Sequence, residues 1–230
     1  MKISFRHGWA MLSAAVLSLT ALPLSAVSSV TSLSAAAAAA PVVENLDRGI
    51  VAIKSGNGML VSWRFLASDP TGTEFRLYRD DQLLMTSKGD EATCFYDESG
   101  SAASRYRVDS LVNGTVQTTS TCSLISGTDY FQIPMDVPTA SDCTYSPNDC
   151  SVGDVDGDGV YELFVKWDPS NSKDNSQKGK TGNVYIDCYK LTGEKLWRID
   201  MGKNIRAGAH YTQFLVADFD GDGYAEMTCK

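Results

Sequence analysis

The chain has 230 residues, with 20 Lys and Arg against 28 Asp and Glu and a formal net charge of −8. That balance excludes a nucleic-acid partner held by counterion release, and the length allows one or two domains. The acid is concentrated: six Asp and two Glu fall in two short loops, so two divalent cations would bring the charge from −8 to −4.

Residues 1–40 differ in kind from the rest. Lys2 and Arg6 supply a positive start, and Met11 to Ala26 supply a short apolar run broken by Ser and Pro23. A small-residue tract then ends in Ala35 to Ala40 before Pro41. This order predicts a secretory signal peptide, cut after Ala26 or near Ala40. An uncleaved anchor is the competing reading, but the run falls short of the ~20 apolar residues a span needs. A secreted, extracellular protein with no membrane partner is expected.

Six cysteines follow the leader: Cys94, Cys122, Cys143, Cys150, Cys188 and Cys229. An oxidising exterior permits disulfides, and Cys143 with Cys150 could close a small loop. Burial as free thiols is the competing expectation. No C-x-x-C occurs, so neither a zinc ribbon nor a thioredoxin-type site is supported.

Residues 41–128 read as a small β-sandwich. Ile50–Ile53 and Met59–Phe65 are strand-like and separated by a turn at Gly56, Asn57 and Gly58. Val61, Trp63 and Phe65 fall on one face, and Ser62 and Arg64 on the other. Phe75–Arg79 repeats the alternation. Arg105–Val108 and Leu111-Val112 lead to Asn113-Gly114, whose tolerance of positive φ suits a tight hairpin. Asn113-Gly114-Thr115 also fits the N-glycosylation acceptor pattern. Strands at roughly ten-residue intervals with no helical period suggest a fibronectin-III-like module, to which no chemistry is assigned. Residues 129–145 read as a linker.

Beyond it the sequence repeats itself. Val152–Val165 and Val216–Thr228 align with Asp154 on Asp218, and Asp156, Asp158 and Glu162 fall on Asp220, Asp222 and Glu226. Two further strands, Val184–Leu191 and Lys195–Ile199, lie between the copies. Four strands per repeat is the make-up of a propeller blade, so residues 146–230 are expected to begin a β-propeller. The chain stops at Lys230, inside an expected strand, and a ring closes only with several blades. A truncated fragment, inactive by itself, is the expectation.

The repeated loops point to Ca²⁺. Asp154, Asp156 and Asp158 take positions one, three and five of the first, Gly159 allows the sharp turn, the Val160 carbonyl takes position seven, and Glu162 closes the shell. The second offers Asp218, Asp220, Asp222, the Tyr224 carbonyl and Glu226. This number of hard oxygen ligands suits Ca²⁺ better than Mg²⁺ or Zn²⁺. Four carboxylates in nine residues repel one another, and without a cation they splay or take up protons. An EF-hand wants Glu at position twelve and flanking helices; here position twelve is Val165 or Cys229, and β-type alternation follows, with Leu163, Val165 and Trp167 on one side. An acidic turn without metal is the bland alternative.

Three strings carry a resemblance: Y-S-P-N-D-C-S-V-G-D-V-D-G-D-G, K-W-D-P-S-N-S-K-D-N-S-Q and G-K-N-I-R-A-G-A-H-Y-T-Q-F. From about residue 45 to Lys230 the chain resembles the rhamnogalacturonan lyases of polysaccharide lyase family 11. D-R-G-I-V-A-I, V-S-W-R-F-L and F-R-L-Y-R-D resemble that family's N-terminal β-sheet domain. The resemblance implies a secreted enzyme with an eight-bladed propeller, structural Ca²⁺ ions and a cleft over the propeller. It would cleave the galacturonate–rhamnose bond of the pectic polysaccharide rhamnogalacturonan I by β-elimination. A monomer is expected.

Removing the C5 proton of a uronate is hard because its carboxylate is already negative. A cation on that carboxylate stabilises the enolate-like charge, a basic group takes the proton, and the glycosidic oxygen leaves. The resemblance puts Asn148 and Asp168 in the substrate cleft, bonding sugar hydroxyls; as turn starters both also have a purely structural reading. Arg206, His210 and Tyr211 are weaker candidates for a cation or base. The catalytic base is expected beyond residue 230, so none is assigned. The rivals are a calcium-stabilised adhesion or carbohydrate-binding propeller, and a cellulosome scaffold component. The 166–177 string favours the lyase.

Overall fold

The computed structural model describes residues 44–208 and 210–230; the expected signal peptide lies outside them. Within this range all regular structure is β.

Eight strands form the N-terminal part: β1 (Val51–Ser55), β2 (Gly58–Ser62), β3 (Glu74–Arg79), β4 (Gln82–Lys88), β5 (Cys94–Asp97), β6 (Tyr106–Val112), β7 (Thr115–Thr121) and β8 (Leu124–Ser126). They make two four-stranded sheets, ordered β5-β2-β1-β8 and β4-β3-β6-β7, antiparallel except for the β1–β8 pair. Alternation explains the core. Ala52, Met59 and Val61 from the first sheet meet Phe75, Leu77, Tyr106 and Val108 from the second, all buried, with Ile50 and Trp63. Each of the larger aliphatic side chains and Phe75 contributes about 1.5–3 kcal/mol when fully buried. The Asn113-Gly114 turn forms as expected: both residues have positive φ, 51° and 78°, and connect Val112 to Thr115.

Phe65 departs from the expected strand. The strand ends at Ser62, and by Arg64 the chain bonds the Arg48 carbonyl instead of β5. Trp63 is buried as expected, but Phe65 is 45% exposed, its ring meeting Phe75 edge-on at 6.1 Å.

Residues 127–144 contain no strand or helix. Part of this stretch is nevertheless fixed: the Asp136 amide donates to the Tyr189 hydroxyl at 3.1 Å, and Met135 packs on Val165, Trp167 and Tyr189.

A third antiparallel sheet comprises β9 (Tyr145–Gly153), β10 (Glu162–Pro169), β11 (Tyr185–Tyr189) and β12 (Lys195–Asp200), in the order β12-β11-β10-β9. A two-stranded pair follows, β13 (Phe214–Ala217) with β14 (Glu226–Cys229). The repeat extends to strand register: Gly153 faces Glu162 and Cys150 faces Val165, just as Ala217 faces Glu226 and Phe214 faces Cys229. Leu163, Val165 and Trp167 share one side of β10, as alternation predicts. The opposite side is not polar in environment, since Glu162, Phe164 and Lys166 are also buried. All six cysteines are free thiols, and only Cys188 is fully buried.

Candidate functional site

The two acidic loops are β-hairpin connections, the first between β9 and β10 and the second between β13 and β14. Their internal bonding is the same, position by position. The Gly157 and Gly159 amides donate to the two oxygens of Asp154 at 2.7 and 2.8 Å, and the Val155 amide donates to Glu162 Oε2 at 2.9 Å. The Gly221 and Gly223 amides donate to Asp218 at 2.6 and 3.0 Å, and the Phe219 amide to Glu226 Oε2 at 2.8 Å. Asp156 and Asp220 accept from the amides of Asp158 and Asp222; those two in turn accept from Val160 and Tyr224. Glycines at φ between 74° and 94° make these turns possible.

Asp218, Asp220, Asp222 and Glu226 bring carboxylate oxygens within 4.8 Å of one another, as do Asp154, Asp156 and Glu162. Such an all-oxygen set is the kind that holds a hard divalent cation. In the first loop Asp154 and Glu162 are buried. Burial, with the neighbouring Asp156, Asp158 and Asp154 charges, raises the Glu162 pKa against the lowering effect of the Val155 amide. Asp158 stands apart from that group. A protein cation is already present on this side: Lys190 Nζ lies 2.5 Å from Asp156 and 3.3 Å from Asp158, and its hydrogen bond lowers the Asp156 pKa. Sequence reading missed Lys190, which is 28 residues beyond Glu162 and carries no motif.

Asn148 and Asp168 lie on adjacent strands, β9 and β10. Asp168 pairs with Ser146 and accepts from the Ser172 hydroxyl at 3.1 Å; Asn148 is exposed. Between Val165–Cys150 and Trp167–Pro147 the register shifts, so Asn148 and Asp149 together oppose Lys166. This is a β-bulge, a device that re-aims side chains. It lets Asp149 take the ammonium of buried Lys166, which also donates to the Tyr211 carbonyl at 3.2 Å. The bulge has no signal in composition.

Arg206 is not free to act as a base or as an open clamp. Its guanidinium donates to the carbonyls of Lys173 at 3.1 Å, Gly179 at 3.0 Å, Asp174 at 3.0 Å and also Gln177. The Tyr211 hydroxyl donates to Asp174 at 3.1 Å. Thus the 166–177 string and the 202–214 string, distant in sequence, fold against each other. His210 lines a cleft of about 480 Å³ with Asn175, Asn204, Arg206, Tyr211 and Thr212.

Sequence comparison assigns two family domains to this chain. The rhamnogalacturonan I lyases beta-sheet domain matches residues 41–124, and the C-terminal domain of rhamnogalacturonan lyase family 11 matches residues 130–230. The rhamnogalacturonan endolyase YesW of Bacillus subtilis (strain 168) is 54% identical over 198 residues, 84% of this chain and 32% of its own length. The rhamnogalacturonan exolyase YesX of the same organism is 47% identical over 194 residues, 82% of this chain and 32% of its own length. The crystal structure of rhamnogalacturonan lyase YesW has a TM-score of 0.74 at 53% identity, covering 83% of this chain and 34% of that one. The chain therefore spans about a third of the length of the curated relatives it matches.

Proposed function

The chain belongs to rhamnogalacturonan lyase family 11, and on that footing we propose that the whole protein is a secreted, calcium-requiring polysaccharide lyase acting on rhamnogalacturonan I by β-elimination at galacturonate. The observation that carries this reading is the high identity to two lyases across both β portions of the chain. We read the N-terminal sheets as a fibronectin-III-like sandwich and the β9–β12 and β13–β14 sheets as the first blades of a propeller. The identical hairpin geometry of the two repeats supports that assignment.

In this reading Asp154, Asp156, Asp158, Glu162 and the Val160 carbonyl hold one Ca²⁺, and Asp218, Asp220, Asp222, Glu226 and the Tyr224 carbonyl hold another. Bound there, Ca²⁺ supplies charge neutralisation that lets each set of crowded carboxylates stay together at neutral pH. The residues of the chain supply position. Asn148 and Asp168 donate to and accept from sugar hydroxyls, the bulge that contains Asn148 being fixed by the Lys166–Asp149 ion pair. Proton removal from C5 and departure of the glycosidic oxygen leave a 4,5-unsaturated uronate, which absorbs ultraviolet light.

The test is to incubate the full-length protein with rhamnogalacturonan I and calcium and follow absorbance of the unsaturated product. Rising absorbance with falling polymer length is expected. A flat trace with intact polymer bound would assign the protein to non-catalytic carbohydrate binding instead.

A further inference from the structure

The segment that leaves β10 beside Asp168 and returns as β11 carries Lys173, Lys178 and Lys180, and its one carboxylate is Asp174. Asp174 is engaged locally, accepting from the Asn175 amide at 2.8 Å and the Tyr211 hydroxyl at 3.1 Å. Residues 202–207 pack on this segment and add Lys203 and Arg206. Lys180, Lys203 and Arg206 line one cleft of about 480 Å³ with Gly179, Thr181 and Asn204, and no Asp or Glu lines it. Among the described residues none of these three cations has a carboxylate within ion-pair distance. In a chain of net charge −8 this is a local reversal of sign.

The cleft is also built. Gly179 holds φ 117°, a conformation a side chain would disfavour, and its carbonyl accepts from Arg206 Nη1 at 3.0 Å. Arg206 spends its donors on main-chain carbonyls, which fixes the loop without neutralising the guanidinium charge. The exposed Lys180 and Lys203 ammonium groups have no such engagement. A cleft fixed by Arg206 and lined by two exposed lysine point charges suits a carboxylate presented on a variable polymer.

We infer that this cleft is a subsite for a uronate carboxylate of the polysaccharide, separate from the Asn148–Asp168 pair and linked to it along the chain by the segment that follows Pro169. The inference rests on the polysaccharide-lyase reading for the identity of the polymer. It assigns Lys180 and Lys203 to substrate binding and Arg206 to positioning the loop.

The test compares the protein with its Lys180→Gln/Lys203→Gln variant in affinity gels containing rhamnogalacturonan I, neutral dextran or dextran sulfate, with calcium present, at low and high salt. Both residues are exposed, so the variant is expected to melt as the parent does; Lys203→Gln alone serves as a second variant. Retardation by rhamnogalacturonan I should weaken about five-fold at low salt and less at high salt. Unchanged retardation would overturn the subsite. So would parent binding to dextran sulfate as tight as to rhamnogalacturonan I, since the cleft would then be an unselective anion patch. The lyase reading is tested separately: if the parent produces no unsaturated uronate yet the variant loses polymer binding, that reading fails and the subsite stands. An active parent with a variant of unaltered binding eliminates the subsite alone.

Discussion

The Ala225 amide donates to the Asp154 carbonyl at 2.7 Å, so the second acidic loop hangs on the first. The first loop is held from the other direction too, its Gly159 carbonyl accepting from the Asp47 amide of the N-terminal part at 2.9 Å. A loop that binds both neighbours transmits its own order to them. This gives the paired carboxylates a structural consequence beyond their hairpins.

Close approach at this junction requires Gly153. A Cβ there would fall 2.6 Å from Ala225 Cβ and 2.6 Å from Val216 Cγ1. Gly153→Ala is expected to cost about 2 kcal/mol by overpacking, lowering Tm by roughly 4–8 °C. Gly127→Ala, whose new Cβ would meet only Ala102 Cβ at 3.6 Å, serves as the control. Equal melting of the two variants in calorimetry would show that the β9–β13 contact leaves room for a Cβ at residue 153.

Lys190 makes the first loop different from the second. Its ammonium neutralises Asp156 and Asp158 and competes with any cation for them. If the loops hold Ca²⁺ as proposed, Lys190→Gln should raise calcium affinity at the first of them about two- to five-fold, the range of an exposed ion pair. In chelator the same variant should melt below the parent, because Asp156 and Asp158 lose the counter-charge that Lys190 supplies. Calorimetric titration and melting with and without calcium read both effects. Two unchanged binding isotherms would mean that Lys190 swings clear when metal binds.

Much of the loops was legible because their bonds are local: the hydrogen bonds within each loop connect residues no more than seven apart. Strand alternation likewise identified Val61, Trp63 and the Leu163–Trp167 side. What escaped were partners set by topology. Lys166 lies off the Leu163–Trp167 side of β10, yet a bulge in β9 turns Asp149 onto it from 17 residues away. Phe65 continues the apolar period past the point where hydrogen bonding has left the sheet. Asp187 sits in an apolar strand with nothing to announce that its acceptors are needed by side chains on three strands.

Asp187 ties together three strands of the β9–β12 sheet. Fully buried, its carboxylate accepts from Trp167 Nε1 at 2.8 Å, the Tyr189 hydroxyl at 2.7 Å, and Arg198 Nε and Nη2 at 2.7 Å each. Asp187→Asn replaces one acceptor oxygen by a donor facing donors and leaves Arg198 only the more exposed and more distant Asp136 carboxylate, at 3.6 Å. Loss of one partner of a buried pair costs about 3 kcal/mol or more, a Tm decrease of roughly 6–12 °C. A variant melting within experimental error of the parent would contradict this network.

The thiols give the alkaline limit. Burial pushes the Cys122 pKa up to about 11, its Sγ lying 3.2 Å from the Ile50 carbonyl. Burial, aided by Glu162, Asp156 and Asp187, pushes Cys188 up to about 12. An unfolded thiol titrates near about 8.5, so above that pH the unfolded state sheds a proton that the folded state keeps. The stabilising contribution is complete below about 8.5 and is lost as pH rises toward the folded values, so Tm should fall between pH 8.5 and 11. Iodoacetamide at pH 8 should label exposed Cys94 well before Cys122 and Cys188, as read by peptide mass. Replacing Cys122 and Cys188 with Ala should flatten the alkaline decline at the cost of a lower Tm at neutral pH. A decline of the same slope in that variant, with equal labelling of all three cysteines in the parent, would place the alkaline sensitivity elsewhere.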